Sequence, residues 1–141
     1  MPTNKAFFAS AQDVEAAFYE ALERGDLEAV MAVWAEDEEV ICIHPGSGRI
    51  AGYAQVRESW RRIFEGGSRL RIRTRLLSVV TNPFTAVHSL LEEVAVRGAE
   101  GSSVTVIATN VYVRGPTGWR MAVHHGSGAP PEPGETPKTL H

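Results

Sequence analysis

His44 closes the short apolar run Val40-Ile41-Cys42-Ile43 and stands before the turn cluster Pro45-Gly46-Ser47-Gly48. An imidazole titrates near neutral pH, so a histidine at a strand mouth can move a proton or hold a polar ligand. The same position suits a strand-end side chain bonded to turn backbone, and no partner next to it in the sequence decides between the two. Large aromatics lie on inward helical stripes: Tyr19, Trp34, Trp60 and Phe64, with Met31. They would wall a cavity between helix and sheet, or simply fill that space as core. Trp34 and Trp60 are the best placed for walls. Farther on, strict alternation sorts Val104, Val106, Ala108, Asn110 and Tyr112 onto one strand face. Thr105, Ile107, Thr109, Val111 and Val113 fall on the other.

Other groupings carry less chemistry. His88, His124 and His125 with Glu92 and Glu93 are of the types that ligate zinc or iron. Adjacent His124 and His125 point to opposite strand faces, and no His-x-His pair chelates from one side, so no metal is expected. Arg69, Arg71, Arg73 and Arg75 alternate with Leu70, Ile72, Thr74 and Leu76. Arginine suits phosphate, but the chain has no surplus positive charge. A solvated outer face pairing with Glu92 or Glu93 on the neighbouring strand is the expectation. The Pro45–Gly48 turn lacks the lysine and spacing of a phosphate loop.

The elements that must position these residues are legible. Ser10 and Asp13 form a helix-opening pair, and Val14, Ala17, Phe18, Ala21 and Leu22 follow at helical spacing as far as Gly25. Asp26 caps a second helix with Leu27, Val30, Met31 and Trp34 inward. A strand ends at His44, and a third helix runs from about Tyr53 to Glu65 with Val56, Trp60, Ile63 and Phe64 inward. The period then changes to two, predicting strands at about 69–81, 86–97, 103–114 and 118–126. Helices first and an antiparallel meander after is an α+β order, with three N-terminal helices packed on one face of the sheet.

A length of 141 residues at 43% hydrophobic fits one domain with one core. A net charge of -3 favours neither nucleic acid nor an anionic membrane surface. Cys42 is the sole cysteine, so no internal disulfide forms. No apolar stretch follows the start that would serve as a signal peptide, and none approaches a spanning helix, so a soluble cytoplasmic protein is expected. The expected division is a flexible 1–9, a single domain 10–128 and a Pro/Gly-rich tail 129–141 without packed structure.

Phe18 to Leu27, then Val33-Trp34-Ala35-Glu36-Asp37, then a strand into His44-Pro45 and Gly52, resembles the first half of nuclear-transport-factor-two-like (SnoaL-like) domains. The end, Trp119-Arg120-Met121-Ala122-Val123-His124-His125-Gly126-Ser127-Gly128-Ala129-Pro130, is similar to the last strand of calcium/calmodulin-dependent protein kinase type II association domains. The resemblance spans about residues 8 to 130. It implies a cystatin-like cone, in which a strongly curved, mostly antiparallel sheet encloses a pocket against the helices. No kinase sequence precedes the module, so kinase activity and calmodulin binding are not implied. Val123 stands where those domains carry a further histidine. The ending motif puts His125, with Ser127, near the pocket or a subunit contact.

The ketosteroid-isomerase-like branch implies an enzyme. Its general-base aspartate falls on His44, its oxyanion-hole tyrosine on Phe18 and its oxyanion-hole aspartic acid near Asn110. Phe18 has no hydroxyl, so that hole would be half built. Three readings follow. The first is a homodimer, paired through the outer sheet face, whose pocket of Tyr19, Trp34, His44, Trp60, Asn110 and His125 binds a small, partly apolar molecule or carboxylate. The second is an isomerase, cyclase or dehydratase with His44 as base and Asn110 on the oxyanion. The third is an assembly module with a vestigial pocket. No cofactor, nucleic acid or membrane partner is expected.

Overall fold

A computed structural model describes residues 6–130, apart from the side chain of Glu100. Helix α1 (Ala11–Arg24) starts where Ser10 accepts the Asp13 N–H and stops at Gly25, whose φ of 65° is the left-handed cap that glycine adopts freely. Asp26 accepts the Ala29 N–H at the head of α2 (Leu27–Ala32). Then come β1 (Ile41–Ile43), β2 (Ile50–Ala51) and α3 (Tyr53–Glu65). The meander consists of β3 (Leu70–Asn82), β4 (Thr85–Val96), β5 (Val104–Gly115) and β6 (Gly118–Gly128). Expected helices and long strands are therefore all present, while the two-residue β2 is an addition.

One six-stranded sheet has the order β2-β1-β6-β5-β4-β3, antiparallel except where β1 runs parallel to β6. The helices cover one face of this curved sheet. Val14, Phe18, Ala21 and Leu22 of α1, Val30 and Met31 of α2, and Val56 and Trp60 of α3 are buried against Leu90, Ala108, Tyr112 and Met121 of the sheet. Burial of side chains this size contributes ~1.5–3 kcal/mol each, so the inward stripes hold the layers together. Trp34, fully buried, forms a bridge to Met121.

Two bulges set which side chains face in. Leu77 is an extra residue between the pairs Leu76–Leu90 and Ser78–Ser89, and Ala122 an extra one between Tyr112–Met121 and Val111–Val123. Part of the segment 1–9 is hydrogen-bonded to β6. The Phe8 carbonyl accepts the Trp119 N–H at 2.9 Å and Arg120 donates to the Ala6 carbonyl at 2.7 Å. Gly118 permits this approach, since a Cβ there would stand 2.6 Å from the Phe8 oxygen. Of the tail, Ala129 donates to the Thr105 carbonyl. Residues 131–141 lie outside the described part. Among the described residues no helix is long and apolar enough to cross a membrane.

Candidate functional site

The end of β1 aims His44 over α3. Its ring meets Trp60 edge-on, with centroids 4.6 Å apart, and its Nε2 lies 3.0 Å from Ser59 Oγ. Ser59 donates its own proton to the Val56 carbonyl at 2.7 Å, so its oxygen receives from His44. Nε2 therefore carries the hydrogen and Nδ1 keeps its lone pair. Burial lowers the His44 pKa, so the ring is neutral near pH 7 and Nδ1 accepts a hydrogen bond while being less basic than a free imidazole. Burial also pushes the nearby Cys42 thiol up to about 12, which leaves it inert as a nucleophile.

Behind Trp60 the sheet carries a buried polar chain. His124 Nδ1 lies 2.6 Å from Asn110 Oδ1, Asn110 Nδ2 donates to the Tyr19 hydroxyl at 3.0 Å, and that hydroxyl donates to Glu92 Oε2 at 2.6 Å. Because the Asn110 amide nitrogen serves Tyr19, its oxygen accepts from His124 Nδ1–H. His124 Nε2 is then a lone pair, 4.0 Å from Glu92 Oε2, so the four side chains nearly close a ring. Desolvation lowers the His124 pKa to about 3 and keeps it neutral. Burial raises the Glu92 carboxyl above its usual range, partly opposed by the Tyr19 hydrogen bond, and strongly raises the Tyr19 phenol. Phe18 joins the two groups, packing on His124 at 5.0 Å and on Trp60 at 5.8 Å.

Of the six residues expected to share a pocket, His44 meets Trp60 and Asn110 meets Tyr19, and Phe18 and His124 stand between the two pairs. His125 is a correction. It is exposed on the outer face and pairs with Thr109, while His124 takes the inner position. The cause is Ala122: unbroken alternation from the inward Met121 would turn residue 125 inward, and the bulge reverses it. Trp34 is fully buried and its backbone bridges Met121 near the start of β6. Phe18 lacks a hydroxyl, but Tyr19 next to it supplies one to Asn110.

The arginine face of β3 was expected to pair with Glu92 or Glu93. Only Glu93 is there, opposite Arg73; Glu92 is inward, in phase with Ala86, His88 and Leu90, which was the signal to follow. Arg71, Arg73, Glu93, Ala95 and Ser103 line an outer recess of about 270 Å3. Among the described residues no group of three or more His, Cys, Asp or Glu could hold a metal ion.

Three helices in the hollow of a curved sheet, with a polar interior and a strand-end histidine, define a cone-shaped α+β domain. The family model of the SnoaL-like domain matches residues 12–132, and the chain belongs to that family. It is similar to the candidate calcium/calmodulin-dependent protein kinase type II association domain of Thiobacillus denitrificans, at 34% identity over 88% of this chain and 98% of that one, with a TM-score of 0.83. A candidate dehydratase of the NTF2-like family from Streptomyces avermitilis is 30% identical over 82% and 91% of the two chains, with a TM-score of 0.73. A ketosteroid isomerase-like protein from Erwinia carotovora is 19% identical over 85% and 94%, with a TM-score of 0.70, a likeness of fold alone. No curated protein matches the chain.

Proposed function

We propose that the chain is a homodimeric small-molecule-binding module without kinase activity, whose ligand is small, partly apolar and brings a hydrogen-bond donor to His44. The carrying observation is the state of that ring: neutral, held on Nε2 by Ser59 and edge-on against Trp60, it offers the Nδ1 lone pair. A hydroxyl, an amide N–H or a carboxylic acid satisfies it, and Trp60 with the stacked Phe64 offers apolar surface beside it. The dimer reading rests on the outer sheet face, where Ile41, Val123, Val111, Val87 and Val80 stand in one row across five strands. A second copy covers such a row most simply by an isologous contact.

The test is thermal unfolding against a panel of small acids, steroids and aromatic ketones, repeated with His44→Ala. A ligand that binds the folded state raises the midpoint. A rise that vanishes in the variant supports the reading, and no rise with any compound moves the weight to an assembly module.

A second reading, an isomerase, cyclase or dehydratase with His44 as base, is favoured by Glu92 and Tyr19. A carboxyl with a raised pKa, once protonated, donates to oxygen on which charge develops, and Tyr19, whose own proton goes to Glu92, holds that carboxyl in place. The similar Streptomyces protein is a candidate dehydratase. Loss of deuterium exchange alpha to the carbonyl of a bound ketone in both His44→Ala and Tyr19→Phe, with binding retained in the latter, would establish it. Binding without exchange in the parent protein rejects it.

A further inference from the structure

Arg71 and Arg73 stand two residues apart on the outer face of β3, opposite Ala95 and Glu93 of β4. An arginine opposite a glutamate is placed for a cross-strand ion pair, and here none forms. Glu93 leans the other way, toward β5. Its Oε1 accepts from the Thr105 hydroxyl at 2.5 Å, and its Oε2 lies 3.5 Å from the Ser103 hydroxyl that donates to it. Among the described residues neither Arg71 nor Arg73 meets an acceptor. Arg69 at the start of the same stripe behaves differently, since it donates to the Arg24 carbonyl at the end of α1. Two neighbouring guanidinium groups are thus left with every donor open.

These groups border a recess instead of a flat surface. Ala95, opposite Arg71, is too short to fill the space between the arginines and Ser103, and the five residues Arg71, Arg73, Glu93, Ala95 and Ser103 enclose about 270 Å3. Both arginine side chains are exposed, so a solute reaches them directly from water. Their Cα atoms are about 7 Å apart, the span of two residues on one strand face. At that spacing two long forked side chains close on a single group between them.

We propose that this recess is an anion site that takes the dianionic head of a small phosphate monoester. A carboxylate brings one charge and satisfies one guanidinium, whereas a phosphate monoester brings nearly two charges and three strong acceptor oxygens and so answers both. Ser103, whose bond to Glu93 is long, can turn its hydroxyl to a phosphate oxygen. Glu93 repels the anion, and its bond to Thr105 keeps the carboxylate on the far wall. At ~30 Å3 per water the recess holds roughly nine water-sized groups, enough for the phosphate and a substituent of a few atoms. Along β4 the site lies about 20 Å from Val87 of the apolar row, so a second copy seated on that row leaves it open. It is also on the opposite face of the sheet from the helices over which His44 stands.

The probes are phenyl phosphate and its singly charged diester, methyl phenyl phosphate, titrated into the full chain at constant ionic strength and followed by the side-chain Nε–H shifts of Arg71 and Arg73. Phenyl phosphate is expected to saturate below about 10 mM, and inorganic phosphate to displace it. It should bind more tightly at pH 7.5 than at pH 5, because its second ionisation falls near pH 6. The diester binds at least about fivefold more weakly. Arg71→Gln and Arg73→Gln each weaken phenyl phosphate about tenfold, for one lost charge-assisted contact, and Glu93→Gln strengthens it. Arg75→Gln removes the same charge from the same face outside the recess and leaves the affinity within about twofold. The shifts persist in His44→Ala and in Val111→Glu, which separates this site from the strand-end histidine and from the subunit contact. Absence of saturation, equal binding of the diester, unchanged binding in either recess variant, or loss in His44→Ala or Val111→Glu each overturns the proposal. A loss in Arg75→Gln equal to that in Arg71→Gln also overturns it, since the anion would then be held by the stripe as a whole.

Discussion

The Tyr19 hydroxyl donates to Glu92 Oε2 across 2.6 Å and so ties α1 to β4, with both side chains buried. It also receives from Asn110, so removing one oxygen leaves two buried partners unmet. Tyr19→Phe should therefore destabilise the fold by ~1–3 kcal/mol, the usual penalty for an unsatisfied buried polar group. Glu92→Gln keeps an acceptor for Tyr19 and removes a carboxyl that burial already disfavours as an anion, so it should cost less. Urea unfolding of both variants checks the order. A harmless Tyr19→Phe beside a damaging Glu92→Gln would show that the carboxylate, not the hydroxyl, organises the interior.

Acid should loosen the protein through His124. An unfolded histidine titrates near 6.5, whereas folded His124 stays neutral down to about 3. Between those values the unfolded chain binds a proton that the folded chain refuses. Stability therefore falls with pH across that window, by ~1.4 kcal/mol per unit for one group. His44, also lowered, acts in the same direction. Glu92 acts oppositely: its folded pKa is raised, so its contribution is full below the unfolded value of 4.5 and is lost as pH rises through the folded one. The loss on acidification should thus steepen below pH 4.5, where Glu92 no longer offsets it. Urea titrations at pH 7, 5 and 4 should show this slope, and His124→Gln should flatten it. Equal slopes for the two proteins would remove His124 from the account.

The helices and the long strands were legible because local chemistry marks them. Ser10 and Asp26 cap, Gly25 stops, and apolar residues recur at the helical period. Alternation also assigned the two faces of β5 correctly, including the inward Asn110. What alternation cannot carry is a bulge, because one extra residue reverses every later side chain while leaving the composition of the strand unchanged. The bulge at Ala122 turns His124 inward and His125 outward in this way, which the ending motif used to place His125 does not reveal. Glu92 was readable by phase but masked by Glu93, since neighbouring glutamates look alike until the inward set Ala86, His88 and Leu90 is extended through them. The tertiary pairing of Tyr19 with Glu92, 73 residues apart, has no local signature.

Ser59 should matter to ligand binding without touching the ligand. Its oxygen holds His44 Nε2–H, and the free Nδ1 depends on that choice of tautomer. Ser59→Ala should weaken a His44-dependent ligand by about three- to tenfold, on the order of 1 kcal/mol for one lost hydrogen bond. Ser59→Thr retains the hydroxyl and should restore most of the affinity. Isothermal titration with whichever compound raises the midpoint makes the comparison. A thermal midpoint unchanged in Ser59→Ala alongside weaker binding separates the positioning role from a general loss of fold. Equal affinity in all three proteins would mean that Nδ1 is not the atom the ligand meets.

The outer row from Ile41 to Val80 predicts a substitution that disrupts assembly and spares the interior. Val111 sits in the middle of the row, between Val123 and Val87 in register, and it points away from Asn110 and Tyr112 on either side of it. Val111→Glu places a charge on each side of a two-fold contact, where like charges repel and desolvation penalises both. Sedimentation velocity should then show the mass of a monomer, against the dimer proposed for the parent protein. The substitution leaves the buried polar chain untouched, so the His44-dependent ligand should still raise the unfolding midpoint of the monomer. A variant that stays dimeric locates the subunit contact elsewhere. A monomer that no longer binds would make the pocket depend on pairing, because no side chain of the outer row faces His44.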